Sequence, residues 1–387
     1  MRTKPEWEGG CDDLVESADP AHFTRRPLLR AAVLSQRDGA GQRDMTRLHE
    51  AAYESLLRPR PVAQRTVVAG TISDVSPHVL ILQTPEGEER LTMTPATATW
   101  RGGPVAPTGL RHGDHVIARK TAPGPPAARG AGARRTIVER AWAGIGRATG
   151  TILEAAPRAA GSPRDLELLV DEGPAKPRKI VLIAHAVYRQ ILVRFPRLEA
   201  GYLIDVIGLR DEGFLRAISP ATSQPAYRAS QPPAPPLVSG RVPNPVSGSA
   251  VWHDPGEEPA TLLGLAYPAI DPETGCEHAA RRPPRGRPPA RAGQPHAVDP
   301  HDSGLGCVRL PYLSVGSVLT VRNDCAGLSV PLPVTSCGAA ARLFCDRCLQ
   351  CSTSPRGRIA DLTMAAFVEL GGRLEDGCFN ASLTVPG

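Results

Sequence analysis

Aromatic side chains make up only 4% of this 387-residue chain: four Trp, six Tyr and six Phe. So few rings do not make a base-stacking platform, because single-stranded nucleic acid is normally held by several aromatics in succession. Long apolar runs are missing as well. None approaches the ~20 residues of a membrane-spanning helix, so no transmembrane segment is expected. A clear signal peptide is also lacking. Thr24-Arg25-Arg26-Pro27-Leu28-Leu29-Arg30 has an arginine pair, but no adequate apolar stretch follows it. Cysteine is nearly absent from the first 275 residues, where Cys11 stands alone.

Present in quantity are the residues that punctuate structure. Forty-one Pro and 38 Gly point to many short strands, turns and linkers, a mainly β chain. The length allows about two or three domains. The net charge of +6 is a mild basic excess spread along the chain. It suits an anionic partner such as a cell-wall polymer, and no nucleic-acid partner is expected.

Residues 1–60 read as a polar, partly disordered arm with one amphipathic helix over Asp44–Leu57. A β pattern begins at Val67 and defines a first small barrel over 61–145. Val79 and Ile81 alternate, as do Leu91 and Met93, with a turn at Pro85-Glu86-Gly87. Pro123–Arg135 reads as a disordered loop before a last strand at Thr136–Trp142. The same order recurs about eighty residues later and defines a second barrel over 146–220. Gly150-Thr151-Ile152 echoes Gly70-Thr71-Ile72. Ile180–Ile183 followed by Val187-Tyr188 echoes Leu91–Trp100, and Leu198–Val206 echoes Leu110–Ala118. The pair resembles tandem oligosaccharide/oligonucleotide-binding-like barrels. Trp100, Arg101, His112, His115, Tyr188 and Arg189 are their candidate surface groups, and a spacer or interaction role is favoured over ligand binding. Residues 221–255, containing SQPPAPPLVSGRVPNPVSGS, read as a stiff proline-rich linker.

The remaining eight cysteines all lie in the last segment, 256–387: Cys276, Cys307, Cys325, Cys337, Cys345, Cys348, Cys351 and Cys378. An even set confined to one small domain points to disulfides and an oxidising compartment, with pairing left open. Cys337, Cys345, Cys348 and Cys351 form the alternative, a zinc site. An iron–sulfur cluster on the same run is the remoter alternative, since its flanks do not match, and no cofactor is expected otherwise. Arg281–Arg291, RRPPRGRPPAR, reads as a solvated insertion, or as a contact to an anionic polymer.

Arg358–Val385 closes the chain as strand, helix, turn and strand. Thr363 is the expected N-cap, and Gly371-Gly372 the helix stop. Its sequence GRIADLTMAAFVELGG, with Gly316–Asn323 upstream, resembles the closing part of the rare-lipoprotein-A-like double-psi β-barrel, also used by expansins and barwin-like proteins. The resemblance implies a double-psi barrel in the last third, with its first strand near Ala260–Tyr267 and a further strand at Val330–Gly338. It implies a cell-envelope or extracellular location, and a partner that is a wall polysaccharide or an envelope protein.

Enzymatic members of that family are peptidoglycan lytic transglycosylases, which use an acidic Asp and a His. Here the acid position is Ser336 and no His falls in register around Cys307–Ser314, which argues against catalysis. His301, Asp361 and Asp346 are the candidates for a rearranged site, with Asp324 a further carboxylate. The resemblance places Asp361 in the polysaccharide groove. The residues alone read Asp361 as a cap for the following helix. Asp361, Tyr312, Ser336 and Arg358 are the expected binding residues. Ala339–Ser354 is expected to be a stapled loop over the groove.

Overall fold

The computed structural model describes residues 66–121, 136–157, 165–173, 176–232, 244–255, 260–270, 307–308, 310–338, 340–348, 350 and 355–385. The N-terminal arm with its expected helix, the loop after Thr121, the arginine-rich segment, His301, Cys276 and Cys351 lie outside the described residues.

The first module contains β1 (Val67–Val75), β2 (Val79–Thr84), β3 (Gly87–Thr92), β4 (Ala98–Trp100), β5 (Pro104–Val105), β6 (His115–Lys120) and β7 (Val138–Ala143). Its sheet runs β3-β2-β1-β6-β7-β4-β5 and stays open, where a closed barrel was expected. The cause is a break between Thr92 and Ala98. β3 meets the approach to β7 through a bridge from Thr92 to Ile137, and the parallel pairing with β7 passes to β4. Within β2 the fully buried residues are Leu80 and Leu82, and the expected Val79 and Ile81 are half-buried. All four are apolar, so the alternation gave the strand but not its inner face.

The second module is a closed barrel of β8 (Ile145–Pro157), β9 (Leu166–Asp171), β10 (Lys179–Ile183), β11 (Leu203–Asp211) and β12 (Phe214–Pro220), in the order β10-β12-β11-β8-β9. The internal repeat is physical. β1 and β8 each carry a bulge after the Gly-Thr-Ile step, between Ile72 and Asp74 and between Ile152 and Glu154. Gly70 and Gly150 sit where a Cβ would come within 2.5 and 2.0 Å of a neighbouring strand's carbonyl oxygen. Only glycine allows that approach. Gly113 and Gly201 then donate to the carbonyls of Ile72 and Ile152.

One expected echo fails. Val187-Tyr188 lies in a helix, α1 (His185–Arg194), and not in a strand. Val187, Tyr188, Ile191, Leu192 and Phe195 recur at helical spacing and pack on the end of the second barrel's core.

The C-terminal barrel closes as β13-β17-β14-β16-β15-β18. Its strands are β13 (Val246–Trp252), β14 (Leu265–Tyr267), β15 (Val318–Asn323), β16 (Ser329–Cys337), β17 (Arg358–Leu362) and β18 (Cys378–Thr384). β13 pairs in parallel with β17, and β14 with β16; the other pairings are antiparallel. Exchanging the first three strands for the last three leaves this cyclic order unchanged. That pseudo-two-fold, with two parallel pairs, is the double-psi topology. α2 (Met364–Glu369) follows β17, and Thr363 caps it by accepting from the Ala366 amide.

The linker expectation is corrected here. Val246–Trp252, assigned to the tether, is the barrel's first strand, so Ala260–Tyr267 supplies the second. The run VSGSAVW holds few large apolar residues, and its small ones are buried by close strand packing on both sides.

The three sheets are also not beads on a string. One core joins Val67, Trp100, Ile117 and Trp142 of the first module to Trp252, Phe367 and Leu374 of the last. Trp100, expected at the surface, is buried in that core. Arg140 and Trp142 both donate to the Glu375 carboxylate across the junction. A shared core predicts cooperative unfolding. Tryptophan fluorescence and far-ultraviolet circular dichroism should give one coincident denaturant transition. Trp252→Ala should lower stability by about 3–5 kcal/mol; a mid-transition plateau in the wild-type chain would contradict the shared core.

Candidate functional site

The expected site residues separate into three environments. The first is a charge network buried in the seam between the second barrel and the C-terminal barrel. Along β8, Ala148 and Ile152 fill the second barrel, while Ile145, Arg147 and Thr149 alternate to the other face. Along β11, Ile204 and Val206 point in, so Asp205 and Ile207 face the seam. Arg147 donates through Nε and Nη2 to Asp205 Oδ1 and Oδ2 at 2.7 and 2.6 Å, and through Nη1 to the Gly377 carbonyl at 2.7 Å. From the C-terminal barrel, Arg358 Nη2 reaches Asp205 Oδ2 and Asp346 Oδ2, both at 2.5 Å. Arg358 Nη1 donates to Thr149 Oγ1 at 3.0 Å, and Ser249 Oγ donates to Asp346 Oδ1 at 2.7 Å.

Arg147, Asp205, Asp346 and Arg358 are all excluded from solvent. Arg358 also lies over the Phe344 ring and Arg147 over Trp252. Burial works against the Arg358 charge, but Asp346 and Asp205 raise its pKa further still, so it stays protonated. Two cations and two carboxylates balance, as buried charges must. Asp346 and Arg358, expected in a ligand groove, are therefore structural ties.

The second environment surrounds Asp361. It lies in one cross-strand row, with Val251 on β13, Ala266 on β14 and then Ser336 on β16. Asp361 Oδ1 is 3.4 Å from Nδ1 of His253, and the two residues are only 7% and 5% exposed. Burial pushes the Asp361 carboxyl up, but the positive charge of His253 at 3.4 Å, with those of Lys176 and Arg358, outweighs it and holds the pKa well below the carboxylate range. Asp361 is thus a carboxylate, held by its imidazole neighbour, and Thr363 takes the capping role expected of it. Sequence reasoning missed His253 because it fell in the supposed linker. The signal available was its place directly after the strand-like VSGSAVW.

The third environment is the surface. Tyr312 is 73% exposed, and Ser336 is half-buried. Asp324 accepts from Ser382 and lies near Arg322 on the outer face of β15 and β18. Ser336 shares the cross-strand row of Asp361 at two strands' remove, and no contact joins Tyr312 or Asp324 to Asp361 among the described residues. Of the surface groups named on the first two modules, Arg101 is tied to Asp114 by a bond of 2.7 Å.

The cysteines staple the segment that carries Asp346. Cys307 pairs with Cys345 and Cys348 with Cys378, while Cys325 and Cys337 are also disulfide-bonded. Three of the four thiols of the zinc alternative are therefore engaged as disulfides. The expected loop over the groove docks elsewhere: Arg347 and Ser223 exchange backbone bonds of 3.0 and 3.1 Å, joining the segment to the end of the second barrel. Tyr227 reinforces this by donating to the Leu343 carbonyl and accepting from the Cys345 amide.

A scan against protein-family models finds none that matches the chain, and a comparison with curated proteins finds no match either.

The depressed pKa of Asp361 fixes the sign of a pH effect. Its contribution to stability is fully present above the unfolded-state pKa of about 3.9 and is lost as pH falls through the lower folded value. Asp361→Asn should accordingly flatten the acid limb of the stability–pH curve, read by thermal melting from pH 6 downwards. An unchanged acid limb in that variant would contradict the pairing with His253.

Proposed function

We propose that this protein is a non-catalytic binding protein of the cell envelope or extracellular space, whose double-psi barrel holds a wall polysaccharide or an envelope protein. The observation that carries the reading is the commitment of the barrel's carboxylates. Asp346 neutralises Arg358, and Asp361 stands deprotonated against His253. A glycosidic oxygen needs a proton donor poised near working pH, within hydrogen-bond reach. Neither carboxylate meets that need, and the position that carries the acid in lytic barrels of this type is Ser336. Disulfide staples support an oxidising compartment. Among the described residues no helix is long and apolar enough to cross a membrane.

A second reading, a peptidoglycan lytic transglycosylase with a rearranged acid, draws on one feature, the imidazole beside Asp361. Its low exposure and depressed pKa count against it.

The two readings part in one experiment. Purified protein is incubated with insoluble peptidoglycan, and both bound protein and released fragments are measured. The binding reading predicts co-sedimentation, no anhydro-muropeptide release, and the same binding by Asp361→Asn. Release of anhydro fragments that Asp361→Asn abolishes would replace it with the enzymatic one.

A further inference from the structure

We propose that the cleft between α1 and the C-terminal barrel binds an acidic sugar, a polyol unit bearing a carboxylate or a phosphate. This rests on the polysaccharide-binding reading and gives it a site and a ligand charge. The cleft has a volume of about 430 Å³, within the range of small-molecule sites. Gln190 and Arg194 of α1, Ser219 of β12 with Ser223 beyond it, and Gln350 of the stapled segment line it.

The balance of charge favours an anion. Glu375 and Asp376 also border the cleft, but each is already neutralised. Glu375 accepts from Arg140 and Trp142, and Asp376 from Arg373 at 2.6 and 3.0 Å. Arg194 is half-buried and has no carboxylate partner among the described residues. Its guanidinium is free to take a carboxylate or phosphate with two parallel bonds. The neighbouring amides and hydroxyls are donors and acceptors suited to sugar hydroxyls. Other ligands are served poorly. The cleft has no aromatic ring for a nucleobase, and Val193 is its one large aliphatic side chain. A peptide strand would want the backbone of Ser223, which already pairs with Arg347.

The walls are also fixed in place. The Gln224 backbone N–H donates to the Arg194 carbonyl at 2.9 Å, and the lining residues Ser223 and Arg347 are bridged to each other while Cys378 is held by its disulfide with Cys348. Such rigidity lowers the ordering cost of binding.

The test is calorimetric titration of the full-length chain in low salt with trigalacturonate, with glucose 6-phosphate, and with neutral maltotriose. At least one acidic ligand should bind saturably, more weakly as salt rises, and maltotriose at least tenfold more weakly. Whichever acid binds identifies the carboxylate or the phosphate as the recognised group. Arg194→Gln should weaken that binding at least tenfold with an unchanged melting temperature. Arg197→Gln, which alters an exposed pair with Glu199 outside the cleft, should bind as wild type. Failure of both acids to bind, or wild-type affinity in Arg194→Gln, overturns the proposal. Peptidoglycan sedimentation of the same proteins separates the two levels. Wild-type polymer binding that Arg194→Gln leaves intact, with no acidic ligand bound, removes the cleft and keeps the binding reading. A wild-type chain that holds neither polymer nor acid removes both.

Discussion

Four buried charges set the geometry of this molecule. Arg147 and Asp205 come from the second barrel, Arg358 and Asp346 from the C-terminal one, and the Arg358–Asp205 contact closes the set across the seam. Each barrel brings a neutral pair of its own, so docking strands no charge. Buried ion pairs are weak contributors to net stability because desolvation offsets the attraction, yet losing one partner is costly. What the arrangement supplies is register. An apolar seam tolerates sliding, whereas bonds of 2.5 to 2.7 Å to defined oxygens do not. The stapled segment around Asp346, with the Ser223–Arg347 bridge next to it, adjoins this lock.

The same commitment bears on chemistry. A carboxylate that neutralises an arginine, or that stays ionised beside an imidazole, is poor at passing a proton to a glycosidic bond. Asp346 and Asp361 are held in these two ways. On the proposed reading the double-psi barrel works through its surfaces and junctions and not through Asp346 or Asp361. Its junction with the second barrel carries Arg194, which has no carboxylate partner among the described residues and is set among amides and hydroxyls. The proposed function and the proposed cleft share that logic: holding a ligand needs fixed donors and a preformed space, not a group that titrates.

Much of the architecture was legible because it is local. The Gly-Thr-Ile repeat marked two bulged strands whose glycines face a carbonyl, and the Thr363 cap and Gly371 stop framed α2 correctly. What escaped is non-local. VSGSAVW reads as linker because its residues are small, and their burial comes from strands more than a hundred residues away. Arg147 and Asp205 are polar letters in ordinary strands, and their partners are 58 to 230 residues distant. His253 was hidden by the same error as β13. Asp361 and Arg358 were expected to bind a ligand and are buried, because the signature that marks a groove residue also marks a buried tie. Burial and partner tell the two apart, and neither is written in spacing.

A double-mutant cycle on Asp205 and Arg358 tests the seam most directly. Asp205→Asn, Arg358→Met and the double variant are unfolded in denaturant at neutral pH. Each single change should cost about 3–5 kcal/mol, and the double change should cost less than the sum by about 2 kcal/mol or more, the coupling expected of buried partners. Additive costs would mean that the two barrels do not share this charge lock, and Arg358 would again be free to serve a ligand.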